Sequence, residues 1–164
     1  MAVNKEIDVS YLYPVPQRFV QDYGGRQYIN TFFPARDCVT RSVAIASGCE
    51  YGWVASRVRQ LCEGQPLLWG LFKTGPNIGV QKEVVDILMA ELGFHYTPLN
   101  TYLRRWKFLG PLAGELPGGR LVVFCNRHVT AVIDGVILDA IDPVPYGIRQ
   151  VFGYWSHRST ESLS

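Results

Sequence analysis

Residues 117–142, PGGRLVVFCNRHVTAVIDGVILDAID, constrain the fold of this chain more tightly than any other stretch. Residues 121–125, 129–133 and 136–140 are short runs rich in Val, Ile and Leu, and they read as three strands. Only Asp134 and Gly135 separate the last two. That dipeptide marks a two-residue turn, so the flanking runs form a tight antiparallel hairpin. Pairing Ile133 with Val136 and counting outward brings His128 opposite Ile141. His128 and Asp139 then share a face as diagonal neighbours, roughly 7–8 Å apart and within reach of two polar side chains. Asp142 points to the other face while pairing stays regular, and a one-residue slip would exchange the two carboxylates.

Upstream, the apolar period is helical. In RDCVTRSVAIASG, residues 36–48, Asp37 is a suitable N-cap, Val39, Val43 and Ala46 recur at helical spacing, and Gly48 is a stop. Further helices are expected over about 53–62 and 80–92, with a short one around 102–109 and a loop over 66–79. Residues 1–35 are rich in Tyr, Phe, Pro and Gly and read as an irregular arm with short extended pieces across the body, while 156–164 read as a polar tail. No repeat or linker divides the chain. The expectation is a single α+β domain over 1–164, with N-terminal helices packed on a C-terminal antiparallel sheet.

This order sets a helix opening with Cys38 against a strand opening with His128. A cysteine acts as a nucleophile through its thiolate, and a helix N-terminus favours that anion. An imidazolium stabilises it further and later protonates the leaving group. A third polar group must fix the imidazole in one orientation. Cys38, His128 and Asp139 supply one residue for each role, with Asp142 as the alternative third member. Against this stands the ordinary use of cysteine as a small buried residue, which is the reading for Cys49, Cys62 and Cys125. His95 and His157 read as surface residues. Arg41, one turn into the first helix, either favours the thiolate or lies on a solvated face.

Composition narrows the remaining classes. Hydrophobic residues make up 48% and charged residues 18%, which excludes a disordered chain. A net charge of +2 argues against nucleic acid as the main partner, and Arg104, Arg105 and Lys107 read as a solvated helix face. No window approaches the roughly 18 apolar residues of a membrane span, and no signal peptide follows Met1, so no membrane partner is expected. The four cysteines form no CxxC pair, so neither zinc nor any other metal or cofactor is expected. The segment 75–79, GPNIG, lacks the Lys-Ser/Thr of a P-loop. The chain reads as cytoplasmic, with reduced thiols.

The blocks DCVTRSVAIASG and ELPGGRLVVFCNRHVTAVIDGVILDAID resemble papain-like cysteine peptidase domains of small bacteriophage and bacterial proteins. Those domains are similar to bacteriocin-processing and NlpC/P60-type peptidases. The resemblance implies a papain-like fold, with Cys38 as nucleophile, His128 as general base and Asp139 as third member. It also implies a protein or peptide substrate, cleaved at an amide or isopeptide bond, and a host-cytoplasm or virion location if the chain is viral. Papain-like enzymes often carry an oxyanion-hole glutamine about six residues before the nucleophile, and Phe32 stands there. Asn30, Gln27 or the Cys38 backbone N–H are the candidates for that role. Tyr102, Trp106 and Trp69 would line a cleft or fill the core. The alternative reading is an inactive papain-like scaffold, serving as a binding protein or a virion-associated structural protein with a virion or host partner.

Overall fold

The computed structural model describes residues 19–28, 37–64, 80–99, 115–143 and 150–157. Within them the fold is α+β, with three α-helices and a six-stranded mixed sheet. In chain order the elements are β1 (Phe19–Gln21), a 3-10 turn (Arg26–Tyr28), α1 (Cys38–Ser47), α2 (Tyr51–Glu63), α3 (Lys82–Glu91), β2 (Phe94–Pro98), β3 (Arg120–Cys125), β4 (His128–Ile133), β5 (Val136–Asp139) and β6 (Val151–His157). The expected helix at 102–109, the loop at 66–79 and the basic cluster lie outside the described residues.

The hairpin forms as its turn chemistry dictates. Asp134 and Gly135 both take positive φ, 48° and 77°, and Ile133 pairs with Val136. The Asp134 carboxylate also accepts the Gly119 N–H at 2.7 Å, tying the turn to the start of β3. Two features correct the expected architecture. The sheet is not purely antiparallel, because β1 lies parallel to β5, with Gln21 opposite Asp139. The Phe19-Val20-Gln21 strand is a short extended piece of the kind expected within 1–35, too short to show a period of its own. The polar tail likewise begins later than expected, since Ser156 and His157 belong to β6.

Strand order is β1-β5-β4-β3-β6-β2, which puts β3 and β4 in the middle. Both read as apolar runs, as strands covered on two sides must. On one side Val122, Val129, Ala131 and Trp155 pack against Val43, Val54, Val58, Leu88 and Met89 of the helices. On the other, Leu121, Val123, Cys125, Val132, Ile137 and Val151 form a second cluster with Leu116. Truncating a fully buried side chain such as Leu88 to Ala would cost about 2–5 kcal/mol. The edge strand β2 tolerates Pro98, which has no N–H to give to a ladder. Gly153 of β6 passes under the Tyr96 ring, where a Cβ would collide.

Helix α1 is buried almost all round, from Val39 to Ala46. Its C-terminus is closed twice. Gly48, at φ 75°, returns its N–H to Ala44 O, and the Arg120 guanidinium donates to the carbonyls of Ala46 and Ile45 at 2.7 and 2.6 Å. With that end fixed to the head of β3, the opposite end is presented to the hairpin.

Candidate active site

Cys38 is the first residue of α1, His128 the first of β4 and Asp139 the last of β5. In an antiparallel pair, the start of one strand and the end of the next lie at the same end of the sheet, and the mouth of α1 meets them there. The β4–β5 ladder runs through Ile133↔Val136, Val132↔Ile137 and Ala131↔Leu138. Beyond it, α1 takes over the backbone of Val129. Ser42 Oγ donates to Val129 O at 2.9 Å, and the Val129 backbone favours the Cys38 thiolate. Val129 thus meets the N-terminal half of α1 with its backbone.

His128 Nε2 lies 2.6 Å from Asp139 Oδ2, closer than diagonal spacing alone implies. An ionised carboxylate only accepts, so this nitrogen is the donor. The other ring nitrogen is left for Cys38, whose thiol is close enough to act on the imidazole. Cys38 is half-buried and free of any disulfide. Burial pushes its thiol up, but the hydrogen bond and charge of His128, with the Val129 N–H, outweigh burial and hold it below an ordinary thiol. Burial likewise pulls His128 down, and its bonds to Asp139 and Cys38 reverse that, so the imidazole holds its proton more tightly than usual. Asp139 is 3% exposed, and burial alone would raise it; the His128 bond and the Arg41 charge hold it below the usual carboxylate value. The buried Thr130 hydroxyl acts in the same direction, without a hydrogen bond of good geometry.

Other residues stand differently from expectation. Asp37 occupies the N-cap position but makes no side-chain cap bond. Its carboxylate, 3% exposed, is taken by Arg41, by the Tyr51 hydroxyl at 2.8 Å and by Arg26 at 3.4 Å. Arg41 is not on a solvated face: it is buried and bridges Asp37 to Asp139, the latter at 3.2 Å. Asp37 stands one helical turn away in the sequence, but the tie to Asp139 is invisible in a linear reading because that acid is 98 residues away. The N-terminal segment also reaches the site. Asp22 N–H donates to Asp139 O at 2.9 Å, and Gln21 Nε2 to Ala140 O at 2.8 Å.

Asp142 is half-buried, and the His128 ring bonds to Asp139. Gln27 is exposed in the 3-10 turn, and Asn30, Phe32, Trp69, Tyr102 and Trp106 lie outside the described residues. Cys62 and Cys125 are buried, and Cys49 is half-buried. His95 and His157 are exposed on β2 and β6. Among the described residues no helix is long and apolar enough to cross a membrane. Comparison with protein-family models, with curated proteins and with solved structures finds no match to this chain. The functional reading rests on the geometry.

Proposed function

We propose that this chain is a papain-like cysteine hydrolase that cleaves an amide or isopeptide bond in a protein or peptide. One observation carries the reading: Cys38, His128 and Asp139, from three separate elements, meet at one end of the sheet, with His128 bonded to Asp139, the thiol held low and the imidazole held high. A thiolate–imidazolium pair is the state such a site needs before substrate arrives. The Cys38 sulfur attacks the carbonyl carbon, and the carbonyl electrons move to oxygen. At the first residue of α1 the Cys38 backbone N–H has no intrahelical acceptor and is available to that oxyanion. His128 gives its proton to the departing amine as the C–N bond breaks, leaving a thioester on Cys38. Water, losing a proton to His128, then attacks the thioester; the C–S bond breaks, the acid is released and the thiolate–imidazolium pair is restored.

The competing reading is an inactive scaffold of the same fold, a binding or virion-associated structural protein; Phe32 at the usual glutamine position favours it. On either reading the protein works in a cytoplasm, a host's if the chain is viral, or in a virion. A thiol-directed activity probe separates the two. Fast, pH-dependent labelling of Cys38 alone is the expected result, and slow, equal labelling of all four cysteines would overturn the enzyme reading.

A further inference from the structure

We infer that Arg41 is the positioning residue of this site, holding the Asp139 carboxylate ionised and aimed at His128. The inference rests on the thiolate reading of Cys38. Asp139 uses its two oxygens differently. Oδ2 faces His128 Nε2 at 2.6 Å, whereas Oδ1 accepts the Ala140 N–H at 2.7 Å and Arg41 at 3.2 Å. The peptide N–H next to the carboxylate's own residue fixes its position along the chain. Arg41 reaches it from another element with a hydrogen bond, and so fixes the plane in which Oδ2 is presented.

Arg41 is itself held from behind. Its other terminal nitrogen bonds Asp37, whose second oxygen accepts from Tyr51 at the head of α2 and pairs with Arg26 of the N-terminal segment. Burial pushes the Tyr51 hydroxyl up, so it stays a donor. Gly24 lies against the Arg41 backbone, where a Cβ would come within 3.0 Å of the carbonyl oxygen. The charged groups that meet here are Asp37, Arg26, Arg41, Asp139, His128 and Cys38. With Cys38 ionised they balance as three negative and three positive. A buried guanidinium between two buried carboxylates would have no reason to be there if Asp139 were an ordinary strand residue, since an apolar pair would pack at least as well. Planar, two-sided recognition of this kind is specific to arginine.

The test is the pH profile of Cys38 alkylation by iodoacetamide in the full chain. The variants are Arg41→Gln, the charge-balanced double variant Asp37→Asn/Arg41→Gln, and Arg41→Lys. Loss of an opposite charge at this distance frees Asp139 to protonate or turn away, so His128 no longer holds the thiolate. The onset of alkylation should rise by about one pH unit in the Gln variants, with reactivity near pH 6 falling about tenfold. Arg41→Lys should recover part of the shift. Profiles matching the wild type, in a variant with unchanged circular dichroism and melting, would overturn the proposal. Loss of folding in both Gln variants would also overturn it, by making Arg41 a determinant of the fold instead. A wild-type Cys38 that titrates as an ordinary thiol would sink the thiolate reading itself, a distinguishable failure.

Discussion

His128 and Asp139 close the end of the β4–β5 hairpin with a contact of 2.6 Å, and this contact decides which imidazole nitrogen faces Cys38. Asn at position 139 would keep the shape but lose the acceptor charge. Asp139→Asn should therefore lower turnover about 10²- to 10⁴-fold, the range for a mis-oriented triad histidine. Asp142→Asn should leave turnover nearly unchanged. Steady-state kinetics on a fluorogenic peptide amide would check both, and the reverse pattern would transfer the role to Asp142.

The lowered Cys38 and raised His128 bracket a pH window in which both are charged. Alkylation of Cys38 should begin below the pKa of an ordinary thiol, about 8.5. In His128→Ala the onset should move above that value, because burial remains and its counterweight has gone. Coincident curves for wild type and variant would remove His128 from the activation of the thiol.

Asp139 sets the acid limb of stability. Its carboxyl is depressed in the folded state, so the stability it contributes is present above the unfolded value, about 3.9, and is lost as pH falls through the lower folded value. Urea unfolding from pH 5 downward should show a fall in wild type that is shallower in Asp139→Asn. Equal slopes would mean that the folded carboxyl is not depressed.

Gly24 and Gly25 offer a paired test of how the N-terminal segment seats on α1. Both take positive φ, 61° and 87°, and an Ala at either costs about 1–2 kcal/mol in conformation. Only at Gly24 does the new Cβ press on the Arg41 backbone, at 3.0 Å; at Gly25 the nearest atom is Tyr51 Cβ at 3.8 Å. Gly24→Ala should thus lose more stability than Gly25→Ala and should also slow Cys38 labelling. Equal effects on stability and labelling would detach the segment from the site.

Arg120→Ala tests the far end of α1. Removing a cation that bonds the last carbonyls should cost about 1 kcal/mol by thermal melting. Cys38 reactivity should be unchanged, since the loss falls at the opposite end of the helix.

Local chemistry made the hairpin legible. Asp134 and Gly135 specify a turn by themselves, and a turn carries register outward to Ala131↔Leu138. The helix opening with Cys38 was legible for the same reason, as its period and the Gly48 stop lie within one segment. What escaped depends on distant partners. β1 is three residues long and exists as a strand because β5 offers an edge to it. Phe94–Pro98 takes its shape from Val151–His157, which in turn lies along β3, and a proline and a glycine in those runs disguise them. At the site, Asp37 read as a cap because caps are local, while its ties to Tyr51 and Arg26 depend on the packing of α2 and the N-terminal segment.

The separation of Arg41 from Asp139 by 98 residues has a consequence in time. The mouth of α1 leaves the ribosome well before the hairpin that completes it, by roughly 5–20 s at ordinary rates of synthesis. Through that interval Cys38 has neither His128 nor the Val129 N–H beside it, and both are causes of its lowered pKa. The nascent thiol is therefore an ordinary one. It becomes reactive only when β4 and β5 dock, so the chain is shielded from its own chemistry until that hairpin has been made.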